Sequence, residues 1–111
     1  CMNIETRELK HVSVVKISGR VDSNTAPDVE KALQELIDAD RHQVVLDLQD
    51  TEYMSSAGLR VLVSTLKAAK KSGGDLKLAQ LSGRVKEVLD LAGLTPVFKI
   101  HGDVIEAVGS F

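Results

Sequence analysis

The sequence predicts a single α/β domain in which a mixed, mostly parallel β-sheet is flanked by α-helices. Two observations favour this architecture. Short apolar runs alternate with amphipathic segments along the chain, and crossovers of this length usually join parallel strands in the right-handed sense. The 111 residues are enough for one core, which must consist of Val, Leu, Ile and Ala because aromatic residues make up only 3%.

The chain begins with a predicted antiparallel hairpin. Residues 4–9 and 12–17 are short β-type runs, and Lys10 and His11 form the tight polar connection between them. Residues 19–24 are predicted to form a loop.

A first helix follows this loop. Thr25 and Asp28 have the spacing of a capping box, and Pro27 falls in the first turn. Apolar residues then recur on one helical face up to a predicted end near residue 39, namely Val29, Leu33, Leu36 and Ile37.

The middle of the chain predicts a buried strand, a polar loop and a second helix. Residues 44–48 are β-branched and mostly apolar, as in a central strand. The loop leads to Ser56, which is predicted to be the N-cap of the helix. Lysines complement the dipole at the C-terminus of this helix, and Gly73 ends it. Its apolar face consists of Leu59, Leu62, Val63 and Leu66.

The C-terminal third predicts two more strands and two more helices. Residues 76–79 form a strand, and Ser82 caps a helix that Gly93 closes. Residues 97–100 form a minor strand, and residues 103–108 form a last short helix. The predicted order is therefore ββαβαβαβα.

The composition argues against several classes of partner. A net charge of −2 leaves no basic patch for nucleic acid. No apolar run approaches the ~20 residues of a membrane span. The only cysteine, Cys1, fits a reducing cytoplasm, which is the expected location. Cys1 precedes Met2, which resembles a natural initiator, so Cys1 is expected to be a cloning remnant outside a domain of residues 2–111.

The motifs of common enzymes are missing from the sequence. It contains neither a P-loop nor a G-x-G-x-x-G fingerprint. Ser56 is not in a G-x-S-x-G elbow, because Met54 stands where the first glycine would be. The histidines His11, His42 and His101 are scattered over predicted turns, where a solvated role is expected rather than a metal site or a triad. We therefore expect no enzymatic activity, cofactor or metal.

Two loops contain residues with more than one interpretation. A serine at a helix N-terminus, such as Ser56, is either a cap or a phosphorylation switch. Gly58 has no side chain and so allows the loop to pass close to a neighbouring segment. Asp22 is either a turn residue bonded to nearby amides or part of a surface beside the serine loop, since both loops follow strand ends.

Three stretches, in order, resemble the motifs of one family. Residues 17–22 are similar to I-x-G-x-[LV]-D. Residues 45–48 and 54–59 are similar to a V-x-[LN]-[LV] strand followed by [FIM]-D-S-[STA]-G-L. Residues 88–94 are similar to the closing helix motif. The chain thus resembles the STAS domains over nearly its whole length, in particular the small bacterial anti-sigma factor antagonists.

The resemblance implies a fold, a partner and a switch. The fold is a mixed sheet flanked by helices. Family members bind a kinase-type anti-sigma factor and make it release its sigma factor. The same partner phosphorylates a serine at the start of the second helix, using ATP. By position this is Ser56. Ser55 stands where the family usually has Asp and is the second candidate for phosphorylation.

The expected function is therefore that of an anti-sigma factor antagonist, a monomer or weak dimer with an anti-sigma serine kinase as partner. The alternative is a STAS subunit of another transport or signalling complex, with no phosphoswitch. The residues expected to bind the partner are Asp22, Ser23, Ser55, Ser56, Ala57, Gly58 and Arg60.

Overall fold

The structure is a computed structural model that describes residues 2–111, so the prediction for Cys1 lies outside the described residues. Six strands and four α-helices are found in this part of the chain, with a 3₁₀ turn at Thr95–Val97. In chain order they are β1 (Asn3–Leu9), β2 (Val12–Val21), α1 (Ala26–Asp38), β3 (Gln43–Asp47), β4 (Thr51–Met54), α2 (Ser56–Lys71), β5 (Asp75–Ala79), α3 (Gly83–Leu91), β6 (Lys99–His101) and α4 (Val104–Gly109).

The sheet is mixed and mostly parallel, as predicted. Strands β1 and β2 form the antiparallel hairpin, while β2 with β3, β3 with β5, and β5 with β6 are parallel. The strand order is β1-β2-β3-β5-β6, and β4 pairs separately with the C-terminal part of β2.

Strand β4 was not predicted. The sequence predicts a loop for residues 51–54, but they pair in parallel with β2, which continues through Val21. The loop predicted for residues 19–24 is therefore wrong for its first three residues. Gly19 has a φ of +96°, its N–H donates to the Asp50 carbonyl over 3.0 Å, and the register shifts beside it. This irregularity lets β2 leave β3 and pair with β4.

The helices cover both faces of the sheet. Side chains alternate between faces along a strand, and in β2 Val15 and Ile17 belong to the larger core while Val12 and Val14 belong to a smaller one. Helices α1, α2 and α3 contribute to the larger core. Helix α4 packs on the opposite face, where Ala107 is fully buried.

Two of the predicted caps behave differently. Ser82 is the N-cap of α3, and its hydroxyl accepts from the Val85 N–H, which confirms the prediction. The capping box at Thr25 is wrong, because the Thr25 side chain makes no cap bond to α1. Its hydroxyl instead donates to the Arg20 carbonyl and accepts from the Asp22 N–H, both over 2.9 Å.

The histidines lie in three different environments. His11 is exposed in the β1–β2 turn, as expected. His42, before β3, and His101 are partly exposed. His101 lies in β6, not in a turn, and its Nδ1 is 3.1 Å from Glu106 Oε1 because α4 packs beside that strand.

Within residues 2–111, every helix is too short or too polar to cross a bilayer.

Candidate functional site

The two loops that the sequence singled out lie side by side. Val21 and Met54 are paired at the ends of β2 and β4, and the Ser55 N–H donates to the Val21 carbonyl over 2.8 Å. Asp22 and Ser55 therefore follow adjacent, parallel strand ends. This arrangement confirms that both loops follow strand ends at one edge of the sheet.

Asp22 organises its own loop. Its Oδ1 accepts from the backbone N–H groups of Asn24, over 2.9 Å, and of Thr25, over 3.2 Å. These hydrogen bonds, the one from Asn24 foremost, hold the pKa of the Asp22 carboxyl below its usual value. Its backbone carbonyl accepts from the N–H of Ala26, the first residue of α1, over 2.8 Å. This bond connects the loop to the start of the helix. Asp22 therefore has the turn role that its position in the sequence allowed.

The start of α2 differs by one residue from the prediction. Ser55 is the N-cap, with extended backbone angles, and Ser56 is the first helical residue. The prediction that Ser56 is the cap is therefore wrong, and neither serine side chain makes a capping bond. The Ser55 hydroxyl is buried without a hydrogen-bond partner among the described residues. Ser56 is exposed to solvent.

Gly58 has a packing role. A Cβ at this position would lie 2.8 Å from Val21 Cγ1 and 2.9 Å from Met54 Cγ. Gly58 is buried against the ends of β2 and β4. Its missing side chain brings α2 close to the sheet and so fixes where Ser56 emerges.

A surface hollow of about 460 Å³ lies between α1 and α2. Three of the residues predicted to bind a partner line it, namely Ser23, Ala57 and Arg60. The opposite wall belongs to α1 and was not predicted, since nothing in the local pattern shows where two helices approach each other. That wall includes Ala26, Pro27 and Glu30.

A second hollow, of about 480 Å³, lies on the other side of Arg60. It is mostly apolar and is lined by Leu59, Val63 and Leu94, with Lys67 at its margin. Arg60 and Ser64 line both hollows. The exposed face of α2 therefore presents a ridge at Arg60 with a hollow on each side.

The start of α2 presents an exposed hydroxyl group. In the described part of the chain, no three His, Cys, Asp or Glu side chains are close enough together to hold a metal ion. The Ser56 side chain is exposed at the start of a helix whose first turn contains no acidic residue. Such a position favours an added negative charge.

Comparison with known proteins agrees with this fold. The model of the STAS domain family matches residues 3–107. The chain belongs to the STAS domain family.

Several named proteins are similar to this STAS domain. It is 34% identical to an anti-sigma-B factor antagonist of Bacillus subtilis, over 89% of the chain and 90% of that protein. Its structure superimposes on that of an anti-sigma factor antagonist from Mycobacterium paratuberculosis with a TM-score of 0.90 and 25% identity, covering 99% and 93% of the two chains. The phosphorylated form of SpoIIAA, a cell fate determinant of Bacillus, shares the fold with a TM-score of 0.77 at 14% identity, over 97% and 98% of the two chains.

Proposed function

We propose that this STAS domain is an anti-sigma factor antagonist that binds an anti-sigma serine kinase and is switched off when that kinase phosphorylates Ser56. The binding surface consists of the Asp22 loop, the start of α2 and the hollow between α1 and α2. The proposal implies a location in the cytoplasm, where sigma factors act, and a monomer or weak dimer in solution.

The names of the relatives support the first half of this proposal. A 34% identical protein that aligns over 90% of its length is an anti-sigma-B factor antagonist. An antagonist of this kind must bind an anti-sigma factor, and the exposed ridge and hollows along α2 offer a surface for that contact.

The exposure of Ser56 is the observation that supports the second part of the proposal, the phosphorylation of Ser56. A kinase must reach the hydroxyl that it modifies, and Ser56 is exposed while the Ser55 hydroxyl is buried. This difference favours Ser56 over the second candidate, Ser55. A solved relative of the same fold, SpoIIAA, exists in a phosphorylated form.

Phosphorylation at this position changes the surface more than the fold. A phosphoryl group adds about −1.5 to −2 charges and three acceptor oxygens. The N-terminus of α2 tolerates that charge, so the domain stays folded. A partner surface complementary to a neutral hydroxyl then meets a dianion, and each 1.4 kcal/mol lost weakens its binding about tenfold.

The test is reconstitution with the purified anti-sigma factor of the same organism. After incubation with ATP, phosphopeptide mapping is expected to place the phosphoryl group on Ser56 in the wild type and in Ser55→Ala, and to find none in Ser56→Ala. By calorimetry, Ser56→Ala is expected to bind and Ser56→Asp to bind at least tenfold more weakly.

A matched control places the same charge at the other end of α2. Ser72 is exposed and lies about 24 Å along the helix axis from Ser56, so Ser72→Asp is expected to bind like the wild type. Phosphate found on Ser55, or equal binding by Ser56→Asp and the wild type, would refute the switch. A folded wild-type protein that does not bind the anti-sigma factor would refute the antagonist role and favour a STAS subunit of another complex.

A further inference from the structure

Arg60 lies one helical turn beyond Ser56 and is exposed on the ridge between the two hollows. Residues four apart on a helix share a face, with their Cβ atoms about 5–6 Å apart. Long side chains on a helix lean toward its N-terminus, so a residue covers the surface of the preceding turn. The guanidinium of Arg60 therefore has the Ser56 hydroxyl within its range.

Arg60 has no competing partner in the structure. Among residues 2–111, none of the ion pairs involves Arg60. Glu30 of α1 lines the same hollow as Arg60, but the two side chains do not form an ion pair. The first turn of α2 contains no acidic residue that would attract the guanidinium.

Other basic side chains near this edge are placed less well. Arg20, in the extension of β2, stacks over the Tyr53 ring with its Cζ 4.5 Å from the ring centre. Lys67 is on α2, but about 16 Å along the helix axis from Ser56. Arg60 is thus the cation of α2 that is both near Ser56 and uncommitted among the described residues.

We propose that Arg60 is the residue that holds a phosphoryl group on Ser56 within this chain. This inference rests on the proposed phosphorylation of Ser56 and adds how the modified state is organised. Arg pairs with phosphate through two parallel N–H···O bonds, which fixes the orientation of the group as well as attracting it.

We call this pairing of Arg60 with a phosphoryl group on Ser56 the clamp. It extends the effect of phosphorylation beyond Ser56 itself. Arg60 forms part of the lining of both hollows on α2. When the guanidinium turns toward the phosphoryl group, it moves away from the ridge that separates the two hollows. The surface offered to a partner then changes in charge at Ser56 and in shape along the next turn of the helix.

The experiment measures the phosphoryl group directly, without a kinase or a partner. Phosphoserine is incorporated at position 56 during translation, and the ³¹P resonance of the purified full chain is followed from pH 4 to 8. A free phosphoserine loses its second proton near pH 6. A cation paired with the dianion lowers that midpoint.

The expected result is specific to Arg60. Arg60→Gln raises the midpoint by about 0.15–0.35 pH unit, the size expected for an i,i+4 ion pair. Arg60→Lys keeps the charge but loses the planar fork, and gives an intermediate midpoint. Lys67→Gln removes the same charge from the same helix and leaves the midpoint within about 0.1 unit of the wild type, because the dianion is more than a Debye length away.

Equal midpoints for wild type and Arg60→Gln, with both proteins folded by circular dichroism, would overturn the clamp. An equal rise for Arg60→Gln and Lys67→Gln would also overturn it, since the effect would then be a general loss of charge. A failure of the proposed function shows itself elsewhere, in the mapping and calorimetry with the anti-sigma factor, and does not move this midpoint.

Discussion

The backbone N–H of Ser55 donates to the carbonyl of Val21 over 2.8 Å. This bond ends the pairing of β2 with β4 and places the Asp22 loop beside the start of α2. It also explains the glycine three residues later. Where the two strands end together, the first turn of α2 must cross above them, and Gly58 provides the space for that crossing.

Gly58→Ala is expected to destabilise the domain. The new Cβ would meet Val21 Cγ1 at 2.8 Å and Met54 Cγ at 2.9 Å. Overpacking of this kind costs about 1–3 kcal/mol, of which the better helix propensity of Ala recovers up to about 1 kcal/mol. Urea denaturation should therefore show a net loss of about 1 kcal/mol.

Gly83→Ala in α3, where a Cβ meets nothing within 4 Å, should be as stable as the wild type or more so. Equal stability of both variants would contradict this account.

Ser56→Asp is expected to stabilise the free domain even though it weakens partner binding. The first turn of α2 has no acidic residue, and a carboxylate there gains about 0.3–1 kcal/mol from the helix dipole. Ser72→Asp, at the C-cap of the same helix, should lose a similar amount. Ser56→Ala should change the free energy of unfolding by less than about 0.5 kcal/mol, because the Ser56 side chain makes no capping bond. Thermal denaturation of the three variants tests the signs. A loss of stability in Ser56→Asp would show that the first turn does not favour a negative charge.

The fold was largely predictable because local periodicity determined it. The helical stripe of α1 and the apolar run of β3 each depend on a few neighbouring residues. Strand β4 was missed because its four residues include Glu52 and follow a polar loop. Its partner is the extension of β2 beyond Gly19, where a positive φ and a register shift allow the new pairing. A strand defined by such a distant partner leaves little local signal.

The site was predictable only in part, for similar reasons. The serine loop and Asp22 were visible as polar residues after strand ends. Which serine is the N-cap depends on backbone angles, and either hydroxyl fits that role in the sequence. The wall of the first hollow formed by Glu30 depends on how α1 packs against α2, and the burial of Gly58 depends on both strand ends.

Asp22→Asn is expected to test how much the negative charge of Asp22 contributes to its loop. The hydrogen bond from the Asn24 N–H, together with that from Thr25, holds the pKa of the Asp22 carboxyl below its usual value. A carboxyl with a lowered pKa stabilises the fold above its unfolded value, about 3.9, and this contribution is lost as the pH falls through the folded value. Wild type should therefore be more stable than Asp22→Asn at pH 7, and the difference should shrink toward zero as the pH approaches 2.

Denaturation with urea at several pH values measures this difference. Glu52→Gln, at an exposed position in β4, controls for the loss of one negative charge. A stability difference between wild type and Asp22→Asn that is the same at pH 7 and pH 2.5 would contradict the role of the ionised carboxylate. The Asn side chain retains an acceptor oxygen, so both proteins should fold.

Lys77 offers a test on the face of the sheet opposite the site. It is only 4% exposed, and its Nζ donates to the Ser110 carbonyl over 3.0 Å and to the Ser110 hydroxyl over 2.6 Å. The Phe111 ring covers it, with its centre 4.2 Å from Nζ. Burial lowers the pKa of the Lys77 ammonium, and the positive charge of nearby Lys99 lowers it further.

Lys77→Met keeps the apolar stem and removes the charge. Because the folded state binds the Lys77 proton more weakly than the unfolded state does, the stability of the wild type should rise relative to Lys77→Met as the pH rises from 7 toward about 10.4, the unfolded value. Urea denaturation at pH 7 and pH 10 measures this change, with Lys31→Met on the exposed face of α1 as the control for a general loss of positive charge. If wild type and Lys77→Met respond to pH in parallel, the ammonium is as well solvated in the folded chain as in the unfolded one, and the contact with Ser110 does not hold it in a buried site.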